Sequence, residues 1–179
     1  MEVQIKDKSF QVFIREEEIK LRLRELGNEI SKDFHGQELV MLGVLNGSFI
    51  IFADLCREVQ GVKLLASFIR ISSYSGTESQ EKVKEVMGLN DPIEGKNVLI
   101  VEDIVDKGIS MNFLLNTLKT HNPASVSIAT LLFKPDAFRF NYPLHYVGFE
   151  IPNKFVVGYG LDYDGLGRNL PLIYLITSH

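Results

Sequence analysis

The sequence predicts an α/β domain in which helices flank both faces of a mostly parallel central sheet. Short apolar runs of strand length alternate along the chain with segments of helical spacing. This alternation is typical of parallel sheets, because each return to the same edge of the sheet needs a crossover. The 179 residues, 45% of them hydrophobic, are enough for one core. We expect one domain, residues 1–179, with a small hood from the two chain ends.

The expected elements follow in order. Residues 15–34 place apolar side chains at helical spacing with charges between them. Residues 39–45 are a short apolar run that ends in Asn46-Gly47-Ser48, which predicts a buried strand and a tight turn. The remaining predictions are a helix at 49–59, strands at 64–71 and 98–101, a helix at 111–118, and strands at 126–133, 146–149 and 172–176.

A polar stretch at residues 72–85, which includes Ser73 and Tyr74, has no core-facing period. It is longer than most connections between elements, and such stretches are usually lids, binding loops or disordered segments. We expect a flexible functional lid here. The alternative is an exposed hairpin without a role.

Composition and charge exclude several classes of function. A net charge of −4 and a pI near 5.6 argue against a general nucleic-acid or anionic-membrane surface. The single cysteine, Cys56, allows no intramolecular disulfide and is expected as a small core residue. The first residues have no apolar signal core, and no stretch approaches the roughly 20 apolar residues of a membrane span. We therefore expect a cytoplasmic protein.

The most informative segment is residues 98–110, which read Val-Leu-Ile-Val-Glu-Asp-Ile-Val-Asp-Lys-Gly-Ile-Ser. The carboxylates Glu102 and Asp103 are expected at the end of a buried strand, where open α/β sheets bind ligands. Such a pair can bind sugar hydroxyls or magnesium, and Asp106 can exchange a proton with a reacting nitrogen. Backbone N–H groups after it can bind a phosphate. In the alternative, Asp106 and Ser110 only cap the next helix, and the residues alone do not decide.

The same segment resembles the phosphoribosyl-diphosphate signature of the type I phosphoribosyltransferases: a strand, two acids, and an Asp-x-Gly-x-Thr/Ser loop. Leu45-Asn46-Gly47 resembles the diphosphate loop of that family, and Ser73-Tyr74 the start of its catalytic lid. Residues 149–163, Phe-Glu-Ile-Pro-Asn-Lys-Phe-Val-Val-Gly-Tyr-Gly-Leu-Asp-Tyr, resemble the purine-binding segment of hypoxanthine-guanine phosphoribosyltransferases. The resemblance runs from about residue 39 to the C-terminus.

The resemblance implies the type I phosphoribosyltransferase fold and a pentosyltransferase of purine salvage. Such an enzyme transfers the 5-phosphoribosyl group from 5-phosphoribosyl 1-diphosphate to hypoxanthine or guanine, with Mg²⁺. It gives IMP or GMP and diphosphate. Partners would be these substrates and a second copy of the chain in a homodimer or homotetramer, with no nucleic acid and no membrane. An alternative is a nucleotide-sensing RNA-binding regulator on the same fold, and another is an inactive ligand-binding relative.

Residue roles follow from the same resemblance. The catalytic group would be Asp106 with Glu102 and Asp103, and the metal ligands would be Glu102, Asp103 and Asp162. The 5-phosphate would be bound by Asp106, Lys107, Gly108, Ile109 and Ser110; the purine by Lys134, Phe155, Val156 and Asp162; the diphosphate by Asn46, Gly47 and Arg168; and Ser73 and Tyr74 would belong to the lid.

Three residues depart from the common family pattern. Many relatives have lysine where Asn46 stands, so one positive charge is missing from the diphosphate loop. Lys107 replaces a common threonine, and Ile109 replaces a residue that is often polar. We expect these changes to alter the affinity for the substrate and to leave the reaction class intact.

Overall fold

The computed structural model of the chain describes residues 2–75, 81–89 and 92–177. Within these residues the chain forms three helices and ten strands. The helices are α1 (Glu16–Asp33), α2 (Phe49–Glu58) and α3 (Ile109–Lys119). The strands are β1 (Glu2–Ile5), β2 (Lys8–Ile14), β3 (Glu38–Leu45), β4 (Lys63–Ser75), β5 (Glu81–Met87), β6 (Asn97–Val105), β7 (Ser125–Phe133), β8 (Tyr146–Glu150), β9 (Val156–Val157) and β10 (Ile173–Ile176).

A six-stranded sheet forms the centre of the domain, in the order β5-β4-β3-β6-β7-β8. Neighbouring strands from β4 to β8 pair in parallel, and β5 is an antiparallel edge strand. The middle strands are apolar over most of their length because both faces are covered. Residues 39–44 of β3 are all buried, for example. This arrangement confirms the predicted α/β class.

Helix α1 shows how the spacing in the sequence determines the packing. Ile19, Leu23, Leu26 and Ile30 recur every three or four residues and are at most 2% exposed. They join α2 in the core cluster on one face of the sheet, while α3 packs into a second cluster on the other face. Each such side chain contributes roughly 1.5–3 kcal/mol on burial. None of the described helices has the length and apolar character needed to cross a membrane.

The two chain ends build a second, antiparallel sheet in the order β1-β2-β10-β9. Strand β2 pairs with β10, which places Phe10 opposite Ile176. The side chains of Ile5, Phe10, Val157 and Tyr174 form its small core. The predicted hood from both chain ends is confirmed, although the sequence did not identify β1, β2 and β9 as strands.

The polar stretch at 72–85 was expected as a lid loop, and part of that expectation is wrong. Strand β4 continues to Ser75, and β5 begins at Glu81, so the two form an antiparallel hairpin. Backbone pairing, such as Ser73 with Val83 and Tyr74 with Lys82, extends these strands without any apolar period. Residues 76–80 lie outside the described residues. A functional lid stays a prediction.

Candidate active site

The sequence predicted the acidic pair Glu102 and Asp103 at the end of a strand, but the pair lies inside strand β6. Strand β6 runs on to Val105 because β7 continues beside it as far as Phe133. Glu102 lines a cavity of about 260 Å³, and Asp103 lines a neighbouring cavity of about 160 Å³. The two carboxyl groups are close enough to interact with each other.

Burial makes both carboxyl groups costly to ionise. Glu102 is only 9% exposed. Burial raises its pKa well above the ordinary value, and the neighbouring Asp103 carboxyl raises it further. Burial also raises the pKa of Asp103, although the Ile104 N–H, 2.8 Å from its Oδ1, and the Arg168 guanidinium partly offset the effect. A cation at this position would relieve the cost of ionising the pair.

Within the described residues no group of three or more His, Cys, Asp or Glu side chains converges as a metal site. Mg²⁺ is usually bound by one or two carboxylates together with oxygens of the substrate. The hard oxygen ligands of Glu102 and Asp103 are therefore a suitable partial site.

The loop after β6 turns into α3 through Gly108, whose φ of +82° is in the left-handed region. Gly108 is the N-cap residue of α3, and no side chain caps the helix. The alternative in which Asp106 and Ser110 serve only as helix caps is therefore wrong. The first N–H groups of a helix have no intrahelical partners. Here Gly108, Ile109 and Ser110 carry such groups, and these residues line the larger cavity together with Asp106 and Lys107.

An aromatic cluster that the sequence did not suggest supports this loop. The Tyr142 hydroxyl donates a hydrogen bond of 2.8 Å to the Gly108 carbonyl oxygen. Phe138 packs edge-to-face on Tyr142, with ring centroids 5.0 Å apart. Burial and the nearby Glu102 carboxyl raise the pKa of Tyr142, so its hydroxyl keeps its proton. The loop conformation is thus held by a donor that comes from 34 residues further along the chain.

The smaller cavity contains an ion pair between two predicted site residues. Lys134 Nζ lies 2.7 Å from Asp106 Oδ2, and the lysine side chain is 8% exposed against 42% for the aspartate. Lys134 directly follows β7, and its N–H donates to the Val105 carbonyl oxygen at 3.0 Å. The backbone at the end of the sheet therefore fixes the two residues beside each other.

Phe155 forms one wall of the same cavity. The residue is 43% exposed, and two aromatic rings pack against its side chain. Tyr163 packs edge-to-face on it at 5.8 Å, and Phe10 lies at 6.4 Å. Val156 of β9, by contrast, is only 4% exposed, so only its backbone is suited to contact a ligand. The Phe155 ring is placed as a stacking surface for a flat molecule.

Asp162 and Arg168, predicted for separate roles, are paired with each other. Arg168 Nη2 lies 2.5 Å from Asp162 Oδ1, and Nη1 donates to the Gly160 carbonyl oxygen at 2.7 Å. The other carboxylate oxygen of Asp162 accepts from the Gly165 N–H at 2.6 Å. Both charged groups are thus engaged in holding the loop between β9 and β10.

The turn after β3 packs against both of these regions. Gly47 lies directly against the Asp103 carboxylate, and Gly160 lies against the Gly47 carbonyl oxygen, so neither position has room for a Cβ atom. Asn46 beside it is exposed. The structure thereby places the predicted diphosphate residues next to the acidic pair. The backbone of Ser73 and Tyr74 belongs to β4.

Comparison with known proteins agrees with this geometry. The family model described as "Phosphoribosyl transferase domain" matches residues 14–164. The hypoxanthine phosphoribosyltransferase of Escherichia coli K12 is 45% identical over 166 residues, which are 91% of this chain and 93% of the relative. The hypoxanthine-guanine phosphoribosyltransferase of Mycobacterium tuberculosis CDC 1551 is 43% identical over 169 residues, 90% of this chain and 83% of the relative.

A solved structure is similar over nearly the whole length. It is a crystal structure of a hypoxanthine-guanine phosphoribosyltransferase from Bacillus anthracis with a HEPES molecule in its active site. The TM-score is 0.89 at 40% identity, over 93% of this chain and 98% of that chain. Fold and sequence agree, and the chain belongs to the phosphoribosyltransferase family.

Proposed function

We propose that the protein transfers the 5-phosphoribosyl group from 5-phosphoribosyl 1-diphosphate to hypoxanthine and guanine, releasing diphosphate. One observation carries the proposal: Asp106 belongs to both cavities, so a phosphate loop and a Lys134–Phe155 base site share one carboxylate. The names of the most similar relatives support the same substrates. Asp106 is then the residue between the sugar phosphate and the purine.

In the larger cavity, the loop from Lys107 to Ser110 would bind the 5-phosphate. The N-terminus of α3 offers backbone N–H groups and the positive end of the helix dipole to an anion. The left-handed Gly108 lets the backbone approach the phosphate closely. The Ser110 hydroxyl is a further donor at the same cavity.

Glu102 and Asp103 would hold the ribose hydroxyls and Mg²⁺, with Asp162 as a further ligand. The raised pKa values of the buried pair support this role, because a cation or hydroxyl donors would compensate the ionised form. When bound, Mg²⁺ would neutralise charge on the diphosphate and make it a better leaving group. The two carboxylates would also stabilise positive charge that develops on the ribosyl carbon.

The purine would stack on Phe155, with the Lys134 ammonium donating to its 6-oxo oxygen and the Val156 backbone facing its other edge. Asp106 would take the proton from one imidazole nitrogen while the other forms the bond to the anomeric carbon. The bond from that carbon to diphosphate breaks, and its electron pair leaves with the diphosphate. Asn46, Gly47 and Arg168 would bind that leaving group, and Arg168 offers the planar fork that suits phosphate oxygens.

The test is a panel of four bases, hypoxanthine, guanine, xanthine and adenine, each with 5-phosphoribosyl 1-diphosphate and Mg²⁺. We expect diphosphate release with hypoxanthine, guanine or both, and little with adenine. A protein that passes a folding check but turns over none of the four bases would refute the proposal. Omission of Mg²⁺ in a parallel series tests the metal.

The predicted regulator function gains no support, since none of the three similar proteins is described as binding RNA. The lid at 72–85, the homodimer or homotetramer and the cytoplasmic location stay predictions of the sequence. Sedimentation of the purified protein would measure its assembly directly.

A further inference from the structure

We propose that Lys134 controls when Asp106 can act: it holds Asp106 in an ion pair, and only a base that accepts its ammonium releases the carboxylate for proton transfer. The inference rests on the proposed function and deepens it. Discrimination against adenine would then arise in the chemical step as well as in binding. Lys134 would determine the base specificity both in binding and in the chemical step.

The first support is the burial of the ammonium. The Lys134 side chain is 8% exposed, and its Nζ lies 2.7 Å from Asp106 Oδ2. A buried charge needs a hydrogen-bonding partner of opposite charge or a strong acceptor. The backbone bond from Lys134 N–H to the Val105 carbonyl oxygen keeps the residue at the end of the sheet. The backbone of Lys134 is thereby fixed, and its buried ammonium, which needs an oxygen partner, can exchange Asp106 for a strong acceptor that enters the cavity.

The second support is the match to one edge of a purine. The 6-substituent and the adjacent imidazole nitrogen N7 lie side by side on that edge, close enough for one side chain to contact both. Lys134 supplies a donor and Asp106 an acceptor, and both line the cavity that Phe155 walls. A 6-oxopurine protonated at N7 presents an acceptor and a donor in the complementary order. Such a base can insert between Lys134 and Asp106. The hydrogen bond between the two side chains is then replaced by two, from the ammonium to the 6-oxo oxygen and from N7–H to the carboxylate.

Adenine presents the wrong group to the same pair. Its 6-amino group is a donor, and a lysine ammonium has three donors and no acceptor. With adenine in the cavity, Lys134 keeps Asp106 as its partner, so Asp106 Oδ2 remains occupied. With a 6-oxopurine, the freed Asp106 accepts the N7 proton while N9 bonds to the anomeric carbon. The bond to diphosphate breaks, and diphosphate carries away the electron pair.

The experiment compares the protein with its Lys134→Met variant, which keeps a long apolar side chain and removes the ammonium. With saturating 5-phosphoribosyl 1-diphosphate and Mg²⁺, kcat and KM are measured for hypoxanthine and adenine. For hypoxanthine, kcat/KM should fall about 10- to 100-fold, the worth of one hydrogen bond to a charged group. For adenine, kcat should instead rise, by about 10-fold on the same scale.

An adenine kcat that stays level or falls in Lys134→Met would overturn the exchange and leave Lys134 as a binding residue only. The absence of hypoxanthine and guanine turnover in the unmodified protein is a different result, and it would refute the proposed function. Lys134→Arg is the matched control, because it retains a cation for Asp106. It should keep the adenine kcat low.

A second measurement uses the unmodified protein alone, so it does not depend on how the variants fold. Hypoxanthine, its 6-thio analogue and unsubstituted purine offer a strong, a weak and no acceptor at position 6. We expect kcat at saturating base to fall along that series. A constant kcat, with changes confined to KM, would show that release of Asp106 does not depend on the 6-substituent.

Discussion

Gly108→Ala is the substitution that most directly tests how the phosphate loop is held. A left-handed conformation costs a residue with a Cβ atom roughly 1–2 kcal/mol. The new Cβ would also lie 2.5 Å from the Tyr142 hydroxyl oxygen and 2.6 Å from Phe138 Cε2, so one of the two rings must move. Loss of the Tyr142 hydrogen bond to Gly108 adds about 1 kcal/mol. If the loop conformation determines phosphate binding, a total of about 2–3 kcal/mol predicts a KM for 5-phosphoribosyl 1-diphosphate about 30- to 150-fold higher.

The assay is an initial-rate titration of 5-phosphoribosyl 1-diphosphate at saturating hypoxanthine, together with the melting temperature. Gly95→Ala is the matched control, because Gly95 has a φ of +68° with no atom within 4 Å of the added Cβ. It should lower the melting temperature through backbone strain alone and leave KM unchanged. The reasoning would be refuted if Gly108→Ala behaved like Gly95→Ala, with lower stability and an unaltered KM.

Three further predictions concern single groups of the site. Asp106→Asn should lower kcat by about 10²- to 10⁴-fold, as expected for loss of a general base, while calorimetry shows that 5-phosphoribosyl 1-diphosphate still binds. Tyr142→Phe should raise the KM for that substrate about five-fold, the value of one neutral hydrogen bond. The raised pKa of Glu102 means that the folded state binds its proton more tightly than the unfolded state. The contribution of Glu102 to the stability of the metal-free protein should therefore be greatest below the ordinary carboxyl pKa of about 4 and be lost as pH rises through the raised value. Urea unfolding in a chelator should show a flatter pH profile for Glu102→Gln.

Each of these has a contrary result. Unchanged turnover in Asp106→Asn would remove Asp106 from proton transfer. A Tyr142→Phe variant with the KM of the unmodified protein would show that Phe138 and the helix hold the loop without the hydroxyl. Parallel pH profiles for Glu102→Gln and the unmodified protein would place the pH dependence on another group.

The sequence predicted those elements whose own residues show the hydrophobic pattern of a helix or a buried strand. Helix α1 and strand β3 were identified because their own residues carry the period or the apolar run. Strands β1, β2 and β9 were missed because they are short and are defined by pairing within the sheet of chain ends, β1 with β2, and β2 and β9 with β10. The paired residues Phe10 of β2 and Ile176 of β10 lie more than 150 residues apart along the chain. Strand β5 was missed for a similar reason, since it is defined by its antiparallel pairing with β4.

The candidate site divides in a similar way. The strand-loop-helix segment was predicted because its residues are contiguous in the sequence. The Lys134–Asp106 and Arg168–Asp162 ion pairs were not predicted, because each residue had been assigned a partner in the substrate. Tyr142 gave no signal at all, since a tyrosine near the end of an irregular segment has many possible uses.

The sheet of chain ends also sets the order in which the protein can be completed during synthesis. The Phe10 ring contacts those of Phe155 and Tyr163. Its strand β2 pairs with β10, in which Ile176 lies opposite Phe10. A chain emerging from the ribosome N-terminal end first can pack its central sheet while these last residues are still in the exit tunnel. The support of the Phe155 ring by Phe10 can form only after they leave it. A partly made chain would therefore form the loop of residues 107–110 before it has the aromatic group behind Phe155.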